Sequence, residues 1–114
     1  MPFLLVKTNV PLDHTMSSAI MHQATIVISQ ATGKPKNYIM VNVCGGESLM
    51  FGDKLDPCAY LEMKSVGMTA EQIPLLSAGL AKMMEEKLHI PPNHVYIEFA
   101  SVPGKMWGYN GSTF

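Results

Sequence analysis

This chain repeats itself at half its own length, and that constrains its fold more than any other feature. Leu4-Leu5-Val6-Lys7-Thr8 resembles Leu61-Glu62-Met63-Lys64-Ser65, with Lys7 and Lys64 lying 57 positions apart in a chain of 114 residues. Ile39-Met40-Val41 and Tyr96-Ile97-Glu98 share that offset, as do Pro35 and Pro92 ahead of them. Each half reads strand, helix, strand. This implies a single domain, residues 1–114, made of pseudo-repeats of about 1–57 and 58–114. Parallel strands within a half need a right-handed crossover. Two such units side by side predict an α+β fold: a duplicated β-α-β with a four-stranded main sheet and two helices on one face. The other sheet face is expected to be apolar and bare, and further copies of the chain are its natural cover.

Composition supports that cover. Only 15% of residues are charged and 47% are apolar, ten of them methionine, whereas a soluble domain usually carries about 25% charged residues. A net charge of −1 without a basic block argues against nucleic acid as a partner. No apolar run approaches the roughly 18–20 residues needed to span a bilayer, and no basic n-region with a long apolar core marks a signal peptide. Cys44 and Cys58 form no C-x-x-C, so a disulfide framework and a zinc site are not expected. A reducing cytosol is the expected compartment. Asn110-Gly111-Ser112 matches a glycosylation acceptor, but without a secretory signal it reads as a turn.

Local patterns place the elements. Residues 3–10 read as a buried strand stopped by Pro11. A helix is expected over 15–32, with Ile20, Ala24, Val27, Ile28 and Ala31 on one stripe and Gly33 then Pro35 as its stop. Residues 38–43 give a second strand, and residues 48–51 a short extra one. The third main strand covers 57–66. Thr69 and Gln72 fit a capping box for the second helix, whose stripe is Leu76, Leu80, Met83 and Leu88. Pro74 is expected to delay that helix or distort its first turns. Residues 95–100 form the fourth strand, followed by an aromatic, turn-rich tail.

Two residues raise a question of chemistry. Pro2 stands directly before the first strand. It reads as a strand start, where a residue without an N–H is tolerated. If Met1 is removed, its other reading is an N-terminal secondary amine able to act as a base. An α-amine titrates near about 8; burial and a neighbouring cation would both lower that value. Lys34 is a candidate for the cation, and also for a carboxylate anchor. Its other reading is a cation favoured by the macrodipole at a helix end. Gly33-Lys34-Pro35 is no P-loop, which needs Ser or Thr after the lysine.

Pro2, Thr8 to Pro11 (T-N-V-P), Ala31 to Pro35 (A-T-G-K-P), Ser65-Val66-Gly67, Val95-Tyr96-Ile97 and the ending N-G-S-T-F keep one order and spacing along the chain. Together they resemble the macrophage migration inhibitory factor family of the tautomerase superfamily. The resemblance implies a homotrimer with an inner barrel of sheets, outer helices and sites at subunit interfaces. It implies Met1 removal and keto–enol tautomerisation of small aromatic α-keto acids such as phenylpyruvate, with Pro2 as catalytic base and no cofactor or metal. It also implies that Lys34 binds the substrate carboxylate, that Val66 offers a backbone N–H, and that Tyr96 enters from a neighbouring subunit. Tyr38 and the tail aromatics Trp107, Tyr109 and Phe114 would line an apolar pocket with Phe3. Taken alone, these aromatics read as core and interface.

Three departures qualify the resemblance. Glu98 stands where an asparagine is usual in the best-known member, and a carboxylate facing the pocket would repel an α-keto acid or change substrate preference. The C-x-x-C known from some members is broken after Cys58, which weakens a thiol-oxidoreductase reading. The tail carries Trp107 and Tyr109 in place of a single tryptophan. His14, His22, His89 and His94 show no ligand spacing and read as surface or cap residues. The alternative to an enzyme is a cytokine-like signalling or binding protein, secreted without a signal peptide and presenting its surface to a receptor.

Overall fold

A computed structural model describes residues 1–114. Strand β1 is Pro2–Thr8, helix α1 is His14–Thr32 and strand β2 is Met40–Cys44. Strand β3 is Ala59–Val66, helix α2 is Gln72–Leu88 and strand β4 is Val95–Val102. These four strands form one sheet in the order β2-β1-β3-β4. Within each half the two strands are parallel, and β1 meets β3 antiparallel at the centre. A small hairpin of β5, Gly108–Tyr109, and β6, Ser112–Thr113, closes the tail.

Alternation along the strands decides which face carries the core. Pro2, Leu4, Val6 and Thr8 of β1 are buried, as are Ala59, Leu61, Met63 and Ser65 of β3. The even positions of β1 and the odd positions of β3 therefore point one way, towards both helices. There they meet Ile20, Ala24 and Ile28 of α1 and Leu76, Leu80, Met83, Met84 and Leu88 of α2, in one cluster of 15 buried residues. The predicted helix stripes are these contact faces, with Val27 and Ala31 packed at the margin.

Several expectations need correction. The face away from the helices is bare but not apolar: it carries Lys7, Glu62, Lys64 and Glu98 beside Phe3, Leu5 and Tyr60. Residues 48–51 form no strand; Phe51 and Lys54 make a single bridge around a tight turn. Helix α1 begins one residue earlier than expected because Asp13 Oδ1 accepts the Met16 N–H at 2.8 Å. Strand β3 begins at Ala59, two residues after Pro57. The capping box is half formed. Gln72 Oε1 accepts the Thr69 N–H at 3.1 Å, but it is the Thr69 carbonyl that receives the Gln72 N–H, at 3.1 Å. Helix α2 accordingly starts at Gln72, which leaves Pro74 in its first turn, where a missing N–H costs no intrahelical bond.

The repeat is also off by one in its second strands. Phe3 pairs with Met40 and Tyr60 with Tyr96, so the first strands match at an offset of 57 and the second strands at 56. Both helices end in a left-handed residue, Gly33 (φ 71°) and His89 (φ 57°), again 56 apart. A one-residue slip turns every side chain of a strand to the other face. The counterpart of Tyr96 is therefore exposed Met40, and not Ile39 on the core side.

Candidate active site

The site is assembled where four pieces of chain meet at one end of the sheet. Pro2 opens β1, and its register partner is Ser65, the residue before Val66 at the end of β3. Parallel pairing brings the start of β2, with Met40, to the same end. Helix α1 runs back antiparallel to these strands and stops there. Its cap, Gly33, takes a positive φ of 71°, which a residue without a Cβ adopts at no steric cost. The chain reverses at that point and delivers Lys34 to the sheet end, where its Nζ donates to the Val66 carbonyl at 3.0 Å.

The amine environment is unusual. Pro2 is fully buried, and the terminal amine just before it is held below its ordinary value of 8.0, first by burial and then by the Lys34 ammonium. A second positive charge so close to the Lys34 ammonium is disfavoured, which is the same direction in which burial acts on this amine.

Aromatic walls complete a cleft of about 250 Å³ lined by Met1, Pro2, Phe3, Tyr38, Met40, Trp107 and Tyr109, with Asn37, Ile39 and Gly108 between them. Tyr38 comes from the 3-10 turn Lys36–Tyr38 ahead of β2 and meets Tyr109 edge to face at 5.7 Å. Tyr109 stacks on Phe114, with centroids 5.9 Å apart and planes 6° apart. The hairpin that sets them turns on Asn110 (φ 53°) and Gly111 (φ 75°), the two positive angles that a two-residue β-turn requires. The Phe114 N–H closes the tail by donating to the Gly104 carbonyl at 3.1 Å.

Of the residues singled out in the sequence, Pro2, Lys34, Val66, Phe3, Tyr38, Trp107, Tyr109 and Phe114 share this end of the molecule. Tyr96 and Glu98 do not join them within one chain. Tyr96 pairs with Tyr60 while Pro2 pairs with Ser65, and five residues of strand separate the two ends by roughly 16 Å. Tyr96 is 66% exposed, with its ring 5.0 Å from Phe51. Glu98 lies beside Glu62 in register. The Tyr60 hydroxyl donates to Glu62 Oε1 at 3.3 Å; burial and both carboxylates push the phenol up from its ordinary value.

Met40 escaped the sequence reading, although it is 67% exposed and lines the cleft. Its signal lay in the repeat: at the true offset of 56 it is the counterpart of Tyr96. A larger cleft, about 640 Å³, lies at the other end of the sheet around Asn9, Leu49 and Leu55. Its lining holds one ionisable side chain, Glu47, so volume alone does not mark the chemistry. Both cysteines are free, and burial pushes the Cys58 thiol up, away from the reactive thiolate. No three His, Cys, Asp or Glu side chains converge on a common point. No helix is long and apolar enough to cross a membrane.

The macrophage migration inhibitory factor family profile matches residues 1–114, the whole chain. The chain belongs to the macrophage migration inhibitory factor family. A macrophage migration inhibitory factor homolog from Brugia malayi is 37% identical over 115 residues, covering 100% of this chain and 99% of that protein. Among solved structures, the family homologue from Prochlorococcus marinus superposes with a TM-score of 0.92 at 28% identity, covering 98% of each chain. The Toxoplasma gondii macrophage migration inhibitory factor gives 0.92 at 26% identity, covering 98% of this chain and 99% of that one. The duplicated β-α-β sheet with both helices on one face is thus the family's fold, carried here from end to end.

Proposed function

We propose that this protein is a cofactor-free keto–enol tautomerase for phenylpyruvate-like α-keto acids, with Pro2 as its general base once Met1 has been removed. The observation that carries this reading is the amine beside Lys34: a half-buried chain terminus next to fully buried Pro2, whose proton is disfavoured by burial and by a neighbouring ammonium. Without Met1, the same surroundings act on the secondary amine of Pro2. With Met1 in place, the Pro2 nitrogen is an amide and has no basicity to offer.

The reaction needs one proton moved between oxygen and carbon. A base takes it from the enol hydroxyl or from the carbon next to the ketone, and the protonated base returns it at the other atom. Pro2 on its rigid ring at a strand start supplies that nitrogen in a fixed orientation. Lys34 receives the substrate carboxylate by turning from the Val66 carbonyl, and the Val66 backbone N–H adds a neutral donor. Phe3, Tyr38, Trp107 and Tyr109 offer apolar walls to an aromatic ring. In this reading the protein works as a homotrimer, and Tyr96 and Glu98 of a neighbouring copy reach the cleft that one chain leaves open.

The test is ultraviolet-monitored ketonisation of enol phenylpyruvate, with intact mass confirming loss of Met1. Turnover well above buffer is the expected result; a rate equal to buffer sinks this reading for that substrate. A second reading rests on the relatives' name, which denotes a factor acting on macrophage migration: a signalling ligand recognised by a receptor protein. Pro2→Gly separates the two, since a pure ligand keeps receptor binding when turnover is gone.

A further inference from the structure

Lys34 sits on a backbone tied at both of its flanks. The Ser29 hydroxyl donates to the Lys34 carbonyl at 2.8 Å, and the Lys34 N–H donates to Thr32 Oγ1 at 3.2 Å. These bonds fix the residue just past the helix end. They do not fix the distance from that end to the β3–α2 loop, which leaves the sheet directly after Val66, the last residue of β3 and the acceptor of the Lys34 ammonium. One side chain spans that gap. Gln72 accepts the Thr69 N–H of the loop at 3.1 Å and donates to the Thr32 carbonyl of α1 at 3.4 Å.

From this arrangement we infer that Gln72 is a positioning residue: its amide clamps the end of α1 to the β3–α2 loop and so sets where the Lys34 ammonium stands relative to Val66 and the substrate carboxylate. A primary amide suits the task because it accepts on one side and donates on the other. A glutamate would serve as a helix cap just as well, but has no N–H for the Thr32 carbonyl. The inference rests on the tautomerase reading for its kinetic consequence. The clamp itself is a matter of geometry.

The experiment uses the full chain with Met1 removed and compares Gln72→Met, which keeps length without polar atoms, with wild type. The expected result is a KM for enol phenylpyruvate raised roughly three- to tenfold, the equivalent of one ordinary net hydrogen bond, with kcat changed less than KM. The acid limb of the kcat/KM profile should also move up, because a displaced Lys34 lowers the base's pKa less. In a Lys34→Ala background the same substitution should change neither quantity further. Equal effects with and without Lys34, or no change in KM and profile, would overturn the clamp and leave Gln72 as a helix cap. Should wild type fail to turn over phenylpyruvate, titration of 15N-labelled Pro2 by nuclear magnetic resonance still decides. A Pro2 titration that rises in Gln72→Met only when Lys34 is present supports the clamp, and an unmoved one rejects it.

Discussion

The two ends of the sheet are built to one plan, and only one of them gathers a chain terminus, Lys34 and an aromatic cleft. At each end a strand of the central pair exits beside the start of the other, and a helix finishes in a left-handed residue. The buried polar residues Thr8 and Ser65 occupy equivalent strand positions, 57 apart. The outcomes diverge one residue later. At the end with Thr8, Asn9 donates through Nδ2 to the carbonyls of Leu49 and Asp56 at 3.2 and 2.9 Å. Its Oδ1 receives the Cys58 N–H at 3.0 Å, so one amide staples that corner shut. At the end with Ser65, Val66 has no such side chain, and its carbonyl meets the Lys34 ammonium instead. The helix caps differ in the same sense: Gly33 is followed by Lys34, whereas His89 is followed by Ile90, which is buried in the core. Duplication thus provides two equivalent corners. The candidate site lies where the repeat is broken by the chain terminus, by Lys34 and by a corner that no asparagine closes.

Substitutions at paired positions can break this comparison. The largest effect belongs to Pro2→Gly, which keeps a terminal amine but loses the ring. Turnover should fall by about 100-fold or more, within the range general-base catalysis supplies, and stopped-flow ketonisation reads it. Lys34→Ala follows: KM for an α-keto acid should rise about 10-fold or more, as for loss of one charge-assisted hydrogen bond. An unchanged KM would remove Lys34 from substrate binding. At the opposite corner, Asn9→Ala should lower unfolding free energy in urea by about 2 kcal/mol, because it strands polar backbone groups, while kcat/KM stays at the wild-type value. Lost activity with stability intact would mean that the two corners are not separable as described.

The smallest effects test the caps. Gly33→Ala puts a Cβ on a φ of 71° and should cost about 1 kcal/mol. At the equivalent place, His89→Gly relieves a left-handed non-glycine residue and should stabilise by up to about 1 kcal/mol. Opposite signs in thermal unfolding would sharpen the equivalence of the two helix ends, and equal signs would deny it.

Much of the fold was legible because apolar periodicity reports burial, and burial here follows two helices over one sheet. Leu4 and Val6 against Leu61 and Met63 could be placed from alternation alone. The bare face was misread as apolar because its residues show no helix contact in the sequence: Glu62 and Lys64 fall between core positions, and only the register reveals that they share a surface with Lys7 and Glu98. The short strand expected over 48–51 failed because its apolar residues serve a turn, held by Asn9 some 40 residues away. The site was legible in part. Pro2 and Lys34 carry chemistry by residue type, and Gln72 showed its capping bond to Thr69, whereas Met40, Ser29 and the Gln72 bond to Thr32 matter through contacts that a linear pattern does not contain. Tyr96 was matched to the wrong partner in the repeat because a single-residue change of offset, invisible as composition, turns a strand over.

The central claim is that the chain's terminal amine, Pro2 once Met1 is removed, is held below its ordinary value beside Lys34. The most direct measurement is the pH dependence of kcat/KM for enol phenylpyruvate, made on protein whose mass shows Pro2 as the first residue, with and without Lys34→Ala. The base works unprotonated, so activity is lost as pH falls through its pKa. The account predicts an acid limb below the ordinary α-amine value of about 8 in wild type, moving upward when Lys34 is removed. A limb at the ordinary α-amine value that Lys34→Ala leaves in place would contradict it.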